Sequence, residues 1–337
     1  MPESIEKLSQ QVNAAIGKLV YNNKVRNLYA PIEYTLDAGG KRIRPLLMLM
    51  AYQLFRDDYH RIMNNALAME VYHNFTLLHD DVMDHARMRR GHPCVHVKWD
   101  ENTAILSGDT MLALAYKLMT ENTAFFNDEA DRLPAFKALE KAMVTFNEAT
   151  IGVCEGQQSD MDFEIEENVT EAQYMEMIRL KTSLLLSCSL KIGAQLAGAP
   201  DHDAQLLYQF GKDVGLAFQL QDDLLDVYAD EKVFGKHTGG DITENKKTFM
   251  LIKTMELADN DQRAQLLDWI SRMEFDRTEK VNAVTAIYNE VGIRNVCEQR
   301  INALFNKALR ALDQVCVTPD RKQPLYDIAQ KLLHRQS

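Results

Sequence analysis

The chain writes one acidic pentad twice, as Asp80-Asp81-Val82-Met83-Asp84 and as Asp222-Asp223-Leu224-Leu225-Asp226, both reading D-D-x-x-D. At this aspartate content chance supplies roughly 0.2 such matches in a chain of this length, so the pair needs a reason. Each pentad sits inside a long stretch whose apolar residues recur at helical spacing. On a helix, residues i and i+4 share a face and i+1 flanks them, so each pentad gathers carboxylates on one side. Like charges at that spacing destabilise the helix. A compensating cation is the simplest reason to hold two such clusters. Carboxylate oxygens with no nearby thiolates suit Mg²⁺, which keeps several waters and takes one or two carboxylates plus substrate phosphates.

The rest of the sequence is helical in character. Its 15 glycines and eight prolines leave long proline-free spans, and strand-like alternation is nearly absent. Helices are predicted over 4–28, 42–55, 61–88, 102–122, 134–159, 171–196, 203–229, 245–257, 261–271, 276–289, 292–316 and 323–334. Thr170 with Gln173 reads as a capping box opening one of them. The stretches 125–133 and 160–169 read as loops. With no linker composition to mark a boundary, residues 1–337 read as one all-α domain, a large helical bundle around a central cavity. Both pentads then fall near helix C-terminal ends, where each could face the other.

Composition narrows the partners. The formal net charge of −11 argues against nucleic acid, which needs a basic surface. No apolar run reaches a membrane span, and the polar first ten residues lack a signal-peptide core. The five cysteines are odd in number and scattered, with no C-x-x-C pair, which argues against zinc and disulfide frameworks and for a cytoplasmic location.

Several basic groups could receive an anionic substrate. Gly39-Gly40-Lys41-Arg42-Ile43-Arg44-Pro45 places glycines ahead of a helix, where backbone N–H groups are free for an anion, with Lys41 and Arg44 on one turn. Arg89-Arg90-Gly91 follows the first pentad, and two adjacent arginines can address two phosphates. Either group alone also fits a solvated surface. Gly235 to Asp241, followed by Lys246, reads as a phosphate-covering loop or as an ordinary turn. Lys181, ahead of Thr182 in a leucine-rich helix, either snorkels or points into a polar cavity. His73 lies about 20° from Asp80 around an ideal helix and shares the acidic face, though a lone histidine is often structural. The methionines and Tyr72, Phe75 and Phe218 read as core.

Taken together the motifs resemble the trans-isoprenyl diphosphate synthases, or polyprenyl synthetases. His73-Asn74-Phe75-Thr76-Leu77-Leu78-His79 leading into Asp80, then Arg89-Arg90-Gly91 and His96, looks like the first aspartate-rich region of that family. Gly40-Lys41 with Arg44-Pro45, Gly156-Gln157 with Asp160, Lys181-Thr182, Phe218-Gln219-Leu220-Gln221 before the second pentad, and Gly235-Lys236 with Asp241 and Lys246 match its other motifs in order. The resemblance covers roughly residues 30–250.

The resemblance implies an all-α isoprenoid synthase fold and head-to-tail prenyl transfer. In that reaction an allylic diphosphate ionises and the double bond of isopentenyl diphosphate attacks the cation. Asp80, Asp84 and Asp222 would ligate Mg²⁺, with Asp81, Asp223 and Asp226 as further ligands or close neighbours of ligands. Arg89, Lys181 and Lys236 would bind the allylic diphosphate. Lys41, Arg44, His73 and Arg90 would bind isopentenyl diphosphate, and Lys246 is a further substrate-binding residue. Thr182 and Gln219 would turn oxygen dipoles toward the carbocation. A homodimer is expected from the family.

Product length is read at Phe75, five residues before the first aspartate, where long-chain synthases usually carry a small residue. That implies farnesyl or geranylgeranyl diphosphate. An ideal helical wheel instead puts Phe75 about 140° from Asp80 and nominates Thr76 and Tyr72 as the lining. Two departures from the family pattern occur: Cys94 stands where threonine is common, and the first pentad lacks the two-residue insertion of many bacterial and plant enzymes. The competing readings are a class I terpene cyclase, a non-catalytic subunit of a heteromeric synthase, and a structural bundle. Cyclases usually lack the second pentad and the isopentenyl-diphosphate set. Regulatory subunits tend to lose one aspartate cluster.

Overall fold

A computed structural model of the chain describes residues 3–19, 23–121, 129–229 and 238–333. The structure is all-α. Its helices are α1 (Ile5–Ile16), α2 (Arg26–Asp37), α3 (Ile43–Gln53), α4 (Met63–Met83), α5 (Val95–Lys98), α6 (Glu101–Thr120), α7 (Glu129–Ile165), α8 (Glu171–Ile178) and α9 (Leu184–Leu196). They continue as α10 (Asp201–Tyr228), α11 (Gly240–Thr243), α12 (Phe249–Leu257), α13 (Asn260–Ser271), α14 (Arg277–Val291), α15 (Ile293–Gln314) and α16 (Pro319–Leu333). Extended pairing among the described residues is limited to a ribbon of β1 (Met88–Arg89) against β2 (His92–Pro93), directly after the first pentad. No helix among the described residues is long and apolar enough to cross a membrane.

Side chains set the helix starts. Ser4, Asp100 and Asp276 each accept a backbone N–H three residues on, which satisfies one of the orphan donors of a first turn. Thr170 with Gln173 forms the expected capping box, and Asp259 with Gln262 forms a second.

The structure corrects several boundaries. The helix expected over 4–28 ends at Ile16, and a separate α2 runs from Arg26 through Pro31. A proline inside a helix usually breaks it, which is why the sequence concealed α2. Residues 129–133, expected as loop, open α7. The acidic tract expected as loop from 160 stays helical to Ile165. There Lys247 donates to the carbonyl oxygens of Phe163 (2.6 Å) and Glu164 (3.1 Å), pairing carbonyls that a helix end otherwise leaves open. The helix expected over 171–196 is interrupted at Arg179–Ser183 by one π turn.

The chain divides into two compact units. The first comprises Met1–Asn147, Cys188–Tyr208 and Val315–Leu325, and the second comprises Glu148–Ser187, Gln209–Gln314 and Tyr326–Ser337. In the first, α4 packs along α6 and against α1 and α3. Its core holds Leu8, Met48, Leu49, Tyr52, Ala68, Met69 and Tyr72, all fully buried. Gly193 is required there, because a β-carbon on it would meet the Met48 carbonyl oxygen at 2.2 Å. In the second unit, α12 packs on α8, α14 and α15, over Phe249, Met250 and Tyr288.

Candidate active site

The first pentad ends α4, in the first unit. Asp84 is the C-terminal cap, and His85 turns the chain out of the helix at φ 51°. Carboxylates at a helix C-terminus oppose the helix dipole as well as one another. Arg89, presented by the β1–β2 ribbon, answers part of this charge. Its Nε donates to Asp81 at 2.7 Å and its second nitrogen to Asp80 at 3.3 Å.

Arg90 turns the other way. Its backbone is left-handed (φ 52°), and its guanidinium donates to the Gly39 carbonyl oxygen and to Asn74 Oδ1 at 3.3 Å. Gly40, at φ 135°, leaves room for it, since a β-carbon there would stand 3.0 Å from the guanidinium carbon. Arg42, given no role by the sequence, is buried and pairs with Glu70 at 2.6 Å while donating to the Leu36 carbonyl oxygen. Glu70 also accepts from Asn74 at 2.8 Å. Lys41 is exposed and precedes α3, with left-handed Arg42 between it and the helix, so Lys41 and Arg44 do not share a turn as expected.

Arg44 and His73 complete this group. The Arg44 Nε is shielded from water without a hydrogen-bond partner. Burial pushes the Arg44 guanidinium down to about 10, against the opposing pull of Glu70, and Arg90 pushes in the same direction. His73 is held well below the usual histidine range, first by burial and then by Arg44, Arg90, Arg89 and Arg42. It is therefore neutral at physiological pH. Glu70 is taken up by Arg42, Arg90 donates to Gly39 and Asn74, and the Arg44 Nε stays open. That arrangement favours an anion with several oxygens.

Further back along α4, Tyr72 and Phe75 touch with ring centroids 5.5 Å apart, and Phe75 meets His79 at 4.8 Å. Tyr72 packs on Phe146 of α7, which packs on Tyr116 of α6. Thr76 spends its hydroxyl on the His73 carbonyl oxygen. Tyr72 from the wheel and Phe75 from the resemblance thus belong to one aromatic cluster, and Thr76 stands outside it.

The second pentad lies in the last two turns of α10, in the second unit. Asp223 is buried and accepts from the Tyr174 hydroxyl and from Gln219 Nε2 at 3.2 Å. Burial raises its carboxyl to about 6 despite those bonds, and the Asp222 charge adds to the rise. Asp226 accepts from the Asp241 backbone N–H at 3.0 Å. Burial, then Asp226 and Asp223, raise Asp241 to about 7.

The π turn carries Lys181 and Thr182. A π turn widens the backbone ring and re-aims side chains, and such turns concentrate at functional sites. Lys181 Nζ meets Asp160 at 2.6 Å, so this lysine faces a polar group. Thr182 donates to Gln219 Oε1 at 3.0 Å, and Gln219 in turn donates to Asp223. Lys246 has its charge favoured by Asp160, Asp241, Glu244 and Asp223, which together outweigh burial. Carboxylates outnumber ammonium groups here, so the cluster suits a hard cation. Among the described residues no three carboxylate, imidazole or thiolate groups stand together at metal-ligand geometry. A bound Mg²⁺ would complete its shell with water and substrate oxygens, which is its habit. Lys236, expected to bind substrate, lies outside the described residues together with the rest of 230–237.

Sequence reading missed Arg42, Glu70, Asn74 and Tyr174, which hold these groups in place. Asn74 and Asp160 stood in the quoted motifs, which was the available signal.

Comparison with known proteins gives consistent matches. The sequence model of the family described as polyprenyl synthetase matches residues 25–291. A geranylgeranyl diphosphate synthase of Methanosarcina mazei is 40% identical over 254 residues, covering 75% of each chain. One of Sulfolobus acidocaldarius is 36% identical over 307 residues, covering 90% of this chain and 89% of the relative. A crystal structure of a geranylgeranyl pyrophosphate synthase superposes with a TM-score of 0.91 at 38% identity, over 100% of both chains.

Proposed function

The chain belongs to the polyprenyl synthetase family and is a trans-prenyltransferase giving short-chain products, and on that premise we propose how its residues divide the work. Arg44, His73 and Arg90, with Lys41 at the rim, bind the diphosphate of isopentenyl diphosphate. The observation that carries this reading is the buried, unpartnered Arg44 Nε beside an Arg42–Glu70 pair that already occupies the nearby carboxylate. A terpene cyclase has no second diphosphate to place there.

The allylic diphosphate is assigned to the pentads and their cations, Arg89, Lys181, Lys236 and Lys246. Asp80, Asp84 and Asp222 would hold Mg²⁺, with Asp81, Asp223 and Asp226 adjoining. The donor set fits, being all carboxylate oxygen at two helix ends in need of positive charge. When bound, the metal neutralises the leaving diphosphate. Arg89 already spans Asp80 and Asp81, so it can exchange a carboxylate for a phosphate oxygen without travelling far.

The chain's own residues then act on the cation. The Thr182–Gln219–Asp223 relay fixes the Gln219 amide, and its oxygen dipole and the Thr182 hydroxyl oxygen favour a neighbouring allylic cation. The C–O bond of the allylic substrate breaks and its electrons leave with diphosphate. The isopentenyl double bond forms the new C–C bond, and the departing diphosphate is the assigned base for the lost proton. His73 stays neutral and orients the isopentenyl diphosphate group.

We read 1–337 as one catalytic domain, since the family match runs through segments of both units. We further propose farnesyl or geranylgeranyl diphosphate as product, a homodimer as the working form, and a cytoplasmic location. The test is incorporation of labelled isopentenyl diphosphate in the presence of Mg²⁺. Incorporation that Arg44→Ala weakens at low isopentenyl diphosphate and that saturating substrate restores supports the assignment. Turnover of the allylic substrate alone, with no incorporation, would refute it.

A further inference from the structure

Lys280 on α14 is fully buried, yet it meets no carboxylate at ion-pair distance among the described residues. Its Nζ donates to Asn245 Oδ1 at 2.7 Å and lies 4.1 Å from the centre of the Phe275 ring. Burying an ammonium against an amide and a ring face, its company among the described residues, is costly. A methionine would fill similar volume without that cost, so the charge itself is what the location uses.

Asn245 is the residue through which it acts. Its backbone is left-handed at φ 55°, a conformation asparagine tolerates better than most residues. Both ends of its side chain are fixed. Nδ2 donates to the Ile270 carbonyl oxygen at 3.1 Å, and Oδ1 faces the lysine. An ammonium only donates, so the amide oxygen must point toward Lys280 and the amide nitrogen toward α13. The next residue is Lys246, whose backbone N–H closes on the Asp241 carbonyl oxygen at 2.9 Å. The turn at Asn245 therefore sets where Lys246 leaves the backbone. A cavity bounded by Asp241, Asn245, Lys246, Lys280 and Tyr288 lies beneath this turn.

We propose that Lys280 is a positioning residue for the allylic-diphosphate site, holding Asn245 in its left-handed turn so that Lys246 is delivered among Asp160, Asp223 and Asp241. This rests on the assignment of Lys246 to the allylic diphosphate made above. Lys280 touches no substrate, and its effect passes through one side chain to one cation.

The test compares Lys280→Met, Asn245→Gly and Lys246→Met for kcat, for KM of each substrate and for thermal midpoint. Glycine at 245 tolerates the left-handed backbone but removes the side-chain anchor and frees the turn to sample other conformations, so it carries the test even where Lys280→Met fails to fold. Lys280→Met and Asn245→Gly should each raise KM for the allylic diphosphate about tenfold and leave KM for isopentenyl diphosphate within about twofold. Added to Lys246→Met, Lys280→Met should cost less than about twofold more, because both act on one contact. Equal losses with both substrates, or full additivity with Lys246→Met, overturn the proposal. If Lys246→Met leaves the allylic KM unchanged, the assignment of Lys246 fails and takes the proposal with it. If Lys246→Met raises that KM and the other two do not, the proposal alone fails.

Discussion

A β-carbon on Gly156 would stand 2.5 Å from the backbone nitrogen of Lys181. The glycine of α7 thus lets the π turn lie directly on the helix that carries Asp160, and Lys181 reaches that aspartate at 2.6 Å. Gly156→Ala must push the turn away. It should lower kcat by roughly tenfold or more, since displacements near an ångström at a reacting centre are expensive. Circular dichroism should show the helices intact. Steady-state kinetics check this, and an alanine variant with normal kcat contradicts it.

Asp223 yields a pH prediction with a definite sign. Its folded pKa, about 6, lies above the ordinary aspartate value, so the folded state holds the proton more tightly than the unfolded one. Ionised Asp223 therefore costs stability above about pH 6, and that cost is absent below about pH 4. Without metal, Asp223→Asn should unfold at a higher temperature than the parent near pH 8, with the gap closing toward about pH 4. Adding Mg²⁺ with inorganic diphosphate should reverse the order, stabilising the parent more than the variant. Thermal melts at two pH values, with and without the metal, decide it.

Substrate partition is tested by Arg44→Ala. Loss of charge-assisted hydrogen bonds should raise KM for isopentenyl diphosphate by about 10- to 100-fold. KM for the allylic substrate should change far less. Equal effects would end the division of the basic residues between two sites.

Product length is expected to respond to the aromatic cluster around Tyr72 and Phe75. Phe75→Ala removes a ring that touches Tyr72 and His79, and products should lengthen by at least one isoprene unit while isopentenyl diphosphate is still consumed. A purely core role predicts a stability loss of about 3 kcal/mol and unchanged products. Longer products from Tyr72→Ala with none from Phe75→Ala would place the floor one turn further back. Chromatography of the extracted products distinguishes these outcomes.

The sequence disclosed the parts whose chemistry is written in spacing. The pentads and the Thr170–Gln173 box could be read because neighbours along a helix are neighbours in space, whereas the Lys181-Thr182 pair took its role only from the family resemblance. Asp160 was quoted in a motif, but its partnership with Lys181 needed the packing of α7 on the π turn. Arg42 and Arg44 are two residues apart and look interchangeable as text. Only the left-handed backbone at Arg42 sends one to Glu70 and leaves the Nε of the other open. Helix α2 was hidden by Pro31, and the π turn left no periodic trace. Lys280 lies 34 residues beyond Lys246 in a stretch with no motif, so its link through Asn245 became visible only in three dimensions.

Condensation of two diphosphate substrates on this chain is read out by mass spectrometry of the reaction mixture. Purified protein is incubated with Mg²⁺, isopentenyl diphosphate and dimethylallyl diphosphate, and products and released diphosphate are measured together. The expected products are farnesyl or geranylgeranyl diphosphate, with one diphosphate released for each isopentenyl unit added and none in excess chelator. Hydrocarbon products without isopentenyl diphosphate consumption, or full turnover in chelator, would contradict it.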